Sequence, residues 1–274
     1  MENILITGCS TGIGFETAKV LKNHGFKVYA TARKEEDVNT LKNLGFISYK
    51  LDVTKAEDIK YILDKIIKED GKLSAVFNNA GYGQPGAVED IKTEVLKEQF
   101  ETNLFGLHEL TIQTMKIFRK QGFGKIIQHS SVLGIISLKF RGAYNSSKYA
   151  IEGLTDTLRQ ELIGSNISVS LINTGPVTSK FRENALKMFN KNITIEGSFF
   201  ESTYKNEVKK RLEANDDTKA LFNLPATSVA NVVLKIMNSQ KPKPRYYVTK
   251  ATHILGFAKR VLSTNLLDKL LNRV

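Results

Sequence analysis

Short apolar runs alternate with longer amphipathic stretches along this chain. The apolar runs predict strands at residues 4–7, 28–32, 47–51, 73–77, 125–129, 167–172 and 245–248. The stretches between them repeat their apolar positions at the helical period, and they predict helices at 15–24, 53–68, 95–120 and 146–162. This alternation predicts an α/β fold with a mostly parallel, doubly wound sheet that is covered by helices on both faces.

Residues 180–225 break this alternation, because they form one long insert before a helix expected at Ser228. Inserts of this length are often a lid or a binding element rather than a bare loop. The insert carries large apolar side chains that would either bury its own underside or face a ligand: Phe181, Met188, Phe189, Phe199, Phe200, Tyr204 and Phe222. We expect one domain, residues 1–274, with this insert as its elaborated loop.

Residues 250–274 form a tail in which apolar positions are mixed with lysine and arginine. The polar triplet Ser263-Thr264-Asn265 predicts a break and a helix N-cap, and therefore two short helices rather than one. A basic amphipathic tail either packs on its own domain or on a partner subunit, or it makes peripheral contact with an anionic membrane. Both uses stay open, and packing is the simpler one.

Composition narrows the class of protein. The chain has 274 residues, 41% of them hydrophobic, and its single cysteine, Cys9, excludes an internal disulfide and fits a reducing compartment. The sequence contains no secretory leader pattern and no apolar run of about 20 residues, so we expect a cytoplasmic protein.

Charge and histidine spacing exclude two kinds of partner. The net charge of +12 comes from basic residues that are spread along the chain, without zinc-finger spacing or an aromatic nucleic-acid signature. We therefore expect no nucleic-acid partner. The four histidines also lack metal-ligand spacing, so no metal site is expected: His24, His108, His129 and His253.

A glycine-rich turn follows the first predicted strand and opens the first predicted helix. Glycines permit a tight turn whose backbone N–H groups approach a pyrophosphate, and the helix N-terminus favours negative charge. The spacing is Gly-x3-Gly-x-Gly rather than the common Gly-x-Gly-x-x-Gly, and a purely structural turn is the alternative. The position favours a dinucleotide, and the expected contacts are Gly8, Ser10, Thr11, Gly12, Ile13 and Gly14.

The end of the second predicted strand bears on the choice of nicotinamide cofactor. An acid there binds the 2′-hydroxyl of NAD, whereas an arginine accommodates the 2′-phosphate of NADP. The strand ends at Ala32 and is followed by Arg33 and Lys34, with Glu35 and Glu36 only later. NADP is favoured over NAD, and the alternative is that Arg33 is only a surface cation.

Tyr144 and Lys148 lie four residues apart in a predicted helix, so a phenol and an ammonium share one helix face. A phenol with a pKa of about 10 transfers protons poorly at neutral pH, and a nearby cation favours its anion. Ser131 follows the strand predicted at 125–129, a position from which a hydroxyl can donate to a carbonyl oxygen. Each of these three residues is common at such a position by itself. Together, in a chain that also has a phosphate-binding turn, they indicate a catalytic site.

As a set, these motifs resemble the short-chain dehydrogenase/reductase family. The resemblance runs from residue 4 to about residue 181, in the family's order and spacing, and is carried by Thr7-Gly8-x-x-x-Gly12-Ile13-Gly14, Leu51-Asp52-Val53, Asn78-Asn79-Ala80-Gly81, Asn103, Ser131, Tyr144-x-x-x-Lys148 and Asn173-Thr174-Gly175-Pro176-Val177. It implies a Rossmann-type sheet and an enzyme that transfers hydride between a nicotinamide and a carbonyl or alcohol carbon.

The resemblance also implies a role for each matching residue. Tyr144 would be the general acid or base, Ser131 would polarise the carbonyl, and Lys148 would bind the nicotinamide ribose and lower the pKa of Tyr144. Asn103 would hold the active-site helix and a proton-relay water, unless it is only the amide at a helix kink. Asp52 would meet the adenine ring, unless it caps the helix that follows. The other cofactor contacts implied are Val53, Asn79, Ala80, Gly81, Pro176, Val177 and Ser179.

Two positions depart from the family pattern. Thr174-Gly175 stands where the family usually has Pro-Gly, and Ser179 stands where threonine is common. The segment 241–248 adds a resemblance to the 17β-hydroxysteroid- and retinol-dehydrogenase-like branch, which includes bacterial NADP-dependent aldehyde reductases. Together with the aromatic insert, this implies an apolar aldehyde or ketone as substrate, in a pocket near Val132, Leu133 and Leu138.

Other functions remain as alternatives. A cofactor-sensing regulatory protein without catalysis would be expected to lose Tyr144 or Lys148, and this chain keeps both. A sugar-nucleotide epimerase would be expected to carry Gly-x-x-Gly-x-x-Gly at the first turn, which this chain lacks. An NAD-dependent hydroxysteroid- or retinol-type alcohol dehydrogenase stays open. Relatives commonly pair through the helices that correspond to 95–120 and 146–162, which implies a homodimer or homotetramer.

Overall fold

A seven-stranded parallel sheet forms the centre of the molecule. The computed structural model describes residues 1–214 and 222–272. The sheet has the order β3-β2-β1-β4-β5-β6-β9, and β7 and β8 form a separate short parallel pair. The strands are β1 (Asn3–Ile6), β2 (Lys27–Ala32), β3 (Ile47–Lys50), β4 (Ala75–Asn78), β5 (Gly124–Ser131), β6 (Ile167–Thr174), β7 (Val177–Thr178), β8 (Leu224–Pro225) and β9 (Arg245–Tyr247). The predicted doubly wound α/β architecture is confirmed.

Helices cover both faces of this sheet, and others build the insert and the tail. They are α1 (Gly12–Asn23), α2 (Glu35–Asn43), α3 (Ala56–Asp70), α4 (Thr93–Phe100), α5 (Gly106–Gln121), α6 (Gly142–Glu161), α7 (Phe181–Asn192), α8 (Glu201–Thr203), α9 (Lys209–Glu213), α10 (Thr227–Met237), α11 (Lys250–Val261) and α12 (Thr264–Leu271). The single helix predicted at 95–120 is α4 and α5 joined by a π-helical turn, Glu101–Phe105. A one-residue widening of this kind leaves the apolar period almost unchanged, so the sequence pattern does not reveal it.

The core lies in two layers, because alternate residues of a strand point to opposite faces of the sheet. In β1, Ile4 and Ile6 pack on one side with α1 and α10, whereas Leu5 packs on the other side with α3 and α5. Both β1 and β4 are buried along their whole length. The chain enters the sheet at β1 and winds outwards in both directions, which leaves a crevice at the carboxyl ends of β1 and β4.

The insert has an apolar core of its own. Phe189 and Tyr204 are fully buried, with ring centroids 5.3 Å apart, and the Tyr204 hydroxyl accepts a hydrogen bond of 2.8 Å from Ala87 N. Phe199 is 87% exposed, whereas Phe181 and Phe222 line the large cavity described below. Both uses of the aromatic residues therefore occur. Residues 215–221 of the insert lie outside the described part of the chain.

The tail forms the two short helices predicted, α11 and α12, with the break at Ser263. Leu255 and Leu271 pack against the apolar cluster around Val132 and Ile136. Residues 273–274 lie outside the described range. Over residues 1–214 and 222–272, no helix combines the length and the apolar character that crossing a membrane requires.

Candidate active site

The turn between β1 and α1 has the backbone that its glycines predict. Gly8 and Gly12 have φ angles of +71° and +60°, a region that favours glycine. A Cβ atom on Gly14 would lie 2.2 Å from the carbonyl oxygen of Gly8, so only glycine fits there. Helix α1 then begins with no side-chain cap at Thr11, which leaves its first N–H groups to face the crevice.

Asn79, at the end of β4, ties this turn to the sheet. Its Nδ2 donates to the carbonyl oxygens of Thr7 at 2.9 Å and of Gly8 at 3.1 Å. The N–H groups of Asn79 and Ala80 in turn both donate to the Thr7 hydroxyl at 3.0 Å. Asn79 and Ala80 therefore fix the shape of the glycine turn.

The loop after β6 closes the cradle from the opposite side. A Cβ atom on Gly12 would lie 3.2 Å from the Cβ atom of Ser179, so the turn and the loop approach each other closely. Pro176, Val177 and Ser179 line one cavity together with Ile13. An uncapped helix N-terminus, a turn without side chains and this facing loop fit a dinucleotide whose pyrophosphate rests on the turn.

Arg33 and Asp52, which are expected to contact the adenosine part of the cofactor, have different surroundings. Arg33 is exposed directly after β2, and among the described residues it forms no ion pair, whereas the neighbouring Lys34 pairs with Glu36 at 2.9 Å. Asp52 Oδ1 accepts hydrogen bonds from the N–H of Thr54 at 3.1 Å and from its hydroxyl at 2.8 Å. Asp52 thus makes a local turn contact but does not cap α3, whose N-cap is Lys55, and its contact to adenine stays a prediction; Val53 beside it is buried.

Ser131, Tyr144 and Lys148 come together at the carboxyl end of β5. The Ser131 hydroxyl accepts from Leu133 N at 3.1 Å, donates to the Thr174 carbonyl oxygen at 3.3 Å, and is near enough to the Tyr144 phenol to act on its pKa. Lys148 Nζ lies 5.6 Å from the centroid of the Tyr144 ring and donates to the His129 carbonyl oxygen at 2.7 Å. Because β5 and α6 deliver these groups to one place, the sequence spacing translates into a cluster.

Burial dominates the protonation of this cluster. It raises the pKa of Tyr144 to about 12, against smaller lowering effects of the Ser131 hydrogen bond and of the Arg141 charge. Burial also lowers the pKa of Lys148 to about 8, although the Glu152 carboxylate acts in the opposite direction. Arg141 is thus a cation that lowers the pKa of the phenol in this geometry, and the lowering expected from Lys148 stays a prediction.

Asn103 lies within the π-helical turn between α4 and α5 and is buried. Its Oδ1 accepts from Tyr82 N at 3.1 Å, and its Nδ2 donates to Tyr82 O at 2.9 Å and to the Ser147 hydroxyl at 3.2 Å. These contacts join the segment after β4 to the helix that carries Tyr144. Asn103 is thus an amide at a helix irregularity that also holds the active-site helix, and its role toward a relay water stays a prediction.

A buried histidine network was not predicted from the sequence. The ring of His129 is hydrogen-bonded through Nδ1 to Asn79 Oδ1 at 3.0 Å and through Nε2 to Thr174 Oγ1 at 2.9 Å. Burial, together with the charge of Lys148, lowers the pKa of His129 to about 3, so its ring is neutral. The available signal was Thr174 in place of proline, because only a hydroxyl at that position can meet the imidazole.

A second polar cluster lies behind the helix face of Lys148. Glu152 accepts hydrogen bonds from Asn173 Nδ2 at 2.6 Å and from the Ser130 hydroxyl, and it forms an ion pair with Arg245 at 2.7 Å. Arg245 belongs to β9, so this cluster fixes the last strand against α6. It also places a carboxylate one helical turn beyond Lys148.

A cavity of about 650 Å³ opens in front of Tyr144. Its walls include the residues expected from the sequence, Val132, Leu133 and Leu138. The insert and the tail add further apolar residues to the wall: Phe181, Ala185, Leu212, Phe222, Ile254, Leu255 and Leu270. The Phe181 ring lies 5.2 Å from the Tyr144 ring, so the insert reaches the reacting group itself. Over the described residues, no group of three or more His, Cys, Asp or Glu side chains is placed to hold a metal ion.

Protonation of His129 should destabilise the fold, because its pKa of about 3 in the folded chain lies below the 6.5 of an unperturbed histidine. Its contribution to stability is complete above about pH 6.5 and is lost as the pH falls towards about 3. As the pH falls from about 6.5 to about 4, the free energy of unfolding should therefore decrease less in His129→Gln than in the wild type. Urea titration at each pH measures this quantity. The exposed His108→Gln is the control, and equal changes in both variants would contradict this prediction.

Comparison with known proteins agrees with this geometry. The family model described as short chain dehydrogenase matches residues 2–189. An uncharacterized oxidoreductase of Escherichia coli strain K12, YbbO, is 37% identical over 98% of this chain and 94% of its own length. A probable short-chain type dehydrogenase/reductase of Helicobacter pylori, VdlC, is 31% identical over 98% and 96%. An NADPH-dependent 3-dehydrocapnine reductase of Ornithobacterium rhinotracheale is 29% identical over 98% and 96%.

Solved structures share the fold. A short-chain dehydrogenase from Streptomyces avermitilis has a TM-score of 0.78 at 22% identity and covers 99% of this chain and 94% of its own. An actinorhodin polyketide ketoreductase with NADPH has a TM-score of 0.73 at 25% identity, over 90% and 95%. A Burkholderia phymatum short-chain dehydrogenase/reductase in complex with NAD has a TM-score of 0.76 at 23% identity, over 95% and 92%. The family match over residues 2–189 and the 37% identity along almost the whole chain establish that this protein belongs to the short-chain dehydrogenase family.

Proposed function

We propose that this protein is an NADP(H)-dependent oxidoreductase that reduces an apolar aldehyde or ketone to the alcohol, or catalyses the reverse reaction. The observation that carries the proposal is the meeting of Ser131, Tyr144 and Lys148 at a cavity that the glycine-turn cradle also borders. A reacting carbon in this cavity would lie between a proton donor and the cofactor site.

Each residue of the cluster has a definite task in this reaction. A bound nicotinamide supplies the hydride for the carbonyl carbon or accepts it from the alcohol. Tyr144, whose pKa of about 12 keeps it protonated at neutral pH, gives its proton to the carbonyl oxygen. Ser131 donates a hydrogen bond to the same oxygen and thereby polarises the carbonyl. Lys148 holds the ribose and, in its protonated form, stabilises the phenolate left behind.

Two observations support NADP over NAD. Arg33 is exposed where the adenosine 2′-phosphate would lie, and the acids that follow belong to the first turn of α2 rather than to the strand tip. The Ornithobacterium relative is named as NADPH-dependent, while one structural neighbour is a complex with NAD. An NAD-dependent alcohol dehydrogenase of the hydroxysteroid or retinol type is therefore the alternative, and a cofactor-sensing regulator without catalysis is the second.

The substrate class rests on the cavity wall. Apolar side chains make up more than half of its residues, and the insert and the tail contribute more leucine and phenylalanine than the sheet does. Such a wall favours an aliphatic or aromatic carbonyl compound over a phosphorylated sugar. This choice agrees with the resemblance to bacterial aldehyde reductases, which itself stays a proposal.

Removal of the Tyr144 hydroxyl should abolish carbonyl reduction. Tyr144→Phe keeps the ring that packs on Phe181 but removes the proton donor, so turnover should fall by about 10²- to 10⁴-fold. The measurement is NADPH absorbance with a panel of apolar aldehydes and ketones. Tyr149→Phe is the matched control, because its half-exposed hydroxyl on the same helix donates only to the Ile135 carbonyl oxygen. Turnover that Tyr144→Phe leaves unchanged, on a substrate that the wild type reduces, would refute the mechanism.

Loss of the Arg33 guanidinium should weaken NADPH selectively. Arg33→Ala removes a charge-assisted contact to the 2′-phosphate, so the Kd of NADPH should rise about 10- to 100-fold while that of NADH stays the same. Fluorescence titration of both nucleotides measures this. Lys34→Ala is the control, because Lys34 already pairs with Glu36. Equal weakening of NADPH and NADH would refute the phosphate-reading role.

We further propose that the chain forms a homodimer or homotetramer through α5 and α6. Ile112 on α5 and Leu154 on α6 are large apolar residues that stay exposed on these helices. The double variant Ile112→Asp/Leu154→Asp should therefore shift the protein to monomer in light scattering at about micromolar concentration, because charge disfavours burial at an apolar interface. Ile163→Asp, just beyond α6 and also exposed, is the control. A wild type that is monomeric would end this proposal.

The tail has two proposed uses. One face of α11 packs through Thr252, Gly256 and Ala258, while Ile254, Phe257 and Val261 stay more than half exposed. The packed face supports the role of the tail as a wall of the cavity. The exposed apolar face, next to Lys259 and Arg260, supports peripheral membrane contact as the alternative. A cytoplasmic location stays a prediction.

A further inference from the structure

Three arginines are among the residues that line the largely apolar cavity in front of Tyr144. They are Arg141, which directly precedes α6, Arg182 in the first turn of α7, and Arg211 in α9. The proposed reduction of a neutral carbonyl compound does not require them. A partly buried guanidinium without a carboxylate partner, as in Arg141, favours an anion bound in the cavity, and the exposed Arg211 adds a second positive charge at the same cavity.

Arg141 and Arg211 have no carboxylate partner within the described chain. Arg141 is partly buried, and the groups that act on its charge are Arg211, Arg182 and the Tyr144 phenol. Its burial and the two neighbouring cations lower the pKa of Arg141 to about 10. Partial burial and the charge of Arg182 lower the pKa of Arg211 as well, although the residue as a whole is exposed. Arg245 shows the contrast, because it is also partly buried but pairs with Glu152 and Asp156.

Arg182 serves the fold in addition to the cavity. Its NH1 group donates to the carbonyl oxygen of Ala214 at 3.3 Å and so holds the end of the insert. The inference therefore rests on Arg141 and Arg211 alone. The first belongs to the segment that bridges to Gly86, and the second to the insert, so the two charges reach the cavity from separate elements.

The position of Arg141 relates these charges to the reacting group. Arg141 precedes Tyr144 by three residues at the start of one helix, so the two side chains lie about one turn apart. The charge of Arg141 acts on the Tyr144 phenol, which places the guanidinium within electrostatic reach of the proton donor. A molecule with its carbonyl at Tyr144 can therefore present a second group to Arg141.

We propose that the substrate is an amphiphilic carbonyl compound with an oxyanion group, which Arg141 and Arg211 bind while the carbonyl faces Tyr144. The shared chemistry is a carboxylate, sulfonate or phosphate, since each accepts several guanidinium hydrogen bonds. The apolar wall binds the hydrocarbon part. This inference rests on the proposed function, because it names the substrate class of the same site.

The first experiment compares charged and neutral forms of one substrate. Oxo-carboxylic acids with a terminal aldehyde, from about four to about ten carbons, are assayed beside their methyl esters with NADPH. The wild type should prefer the acid at the best length. Arg141→Met and Arg211→Met should each lower the ratio of kcat/KM for acid over ester, by about 10- to 100-fold for Arg141, mainly through KM.

The ratio is the deciding quantity, because Arg141 also influences the pKa of Tyr144 and its loss will affect the ester. Lys139→Met is the matched control: this exposed cation lies two residues away, and the wall of the cavity does not include it. The ratio of kcat/KM for acid over ester should be the same in Lys139→Met as in the wild type. A wild type that shows no preference for the acid, or an Arg141→Met variant that loses acid and ester equally, would overturn the inference. Sulfonate and phosphate analogues of the best length then identify the source of the oxyanion.

A second measurement separates this inference from the proposed function. Calorimetric titration of decanoate and of decanol needs no turnover: the wild type should bind decanoate more tightly, and Arg141→Met should lose that difference. Arg141-dependent binding of decanoate without reduction of any carbonyl compound would sink the proposed function and leave the anion site standing. Reduction of neutral aldehydes, together with equal binding of decanoate and decanol, would sink the anion site alone.

Discussion

Removal of polar groups from water at the carboxyl ends of β5 and β6 is the constraint on which the whole site depends. Burial raises the pKa of Tyr144 to about 12 and lowers those of Lys148 and His129 to about 8 and about 3, so in each case it favours the uncharged form. The fold tolerates this cost because the groups have partners: Lys148 donates to the His129 carbonyl oxygen, and the His129 ring is hydrogen-bonded to Thr174. The phenol thus starts in its protonated form, which carbonyl reduction requires.

The same buried contacts join the two loops that form the cradle. Asn79 holds the glycine turn through the carbonyl oxygens of Thr7 and Gly8, and its own Oδ1 meets the His129 ring, which continues to Thr174. Movement of the glycine turn would therefore displace the loop that starts at Thr174. In this chain a hydroxyl and an imidazole perform this linkage, where the family pattern would place a proline in the loop. The hydrogen bond between Thr174 and His129 therefore compensates for the loss of the proline that the family pattern has at this position.

Local pattern and long-range contact explain what the sequence could and could not predict. The strands were predictable because both faces of a central parallel strand are buried, as in β1, and Ser131, Tyr144 and Lys148 were predictable because each sits in a contiguous motif. The π-helical turn around Asn103 was not, since one extra residue barely alters an apolar period. The partnership of His129 with Thr174 spans 45 residues, so only the fold reveals it. The net rise of the Tyr144 pKa was not predictable either, because a predicted helix face does not show that burial outweighs the effects of neighbouring groups.

Arg141 connects the protonation of the site with the substrate that we propose. Its charge lowers the pKa of Tyr144, against the larger effect of burial. An oxyanion bound to Arg141 would neutralise that charge in a site of low dielectric, where such an effect is strong. The phenol would then hold its proton more firmly while the anionic substrate is bound, and equally while the alcohol product is bound, because the product keeps the oxyanion. A cation three residues before the proposed general acid can therefore bind the substrate and also set the pKa of the proton donor, which a purely apolar cavity wall cannot do.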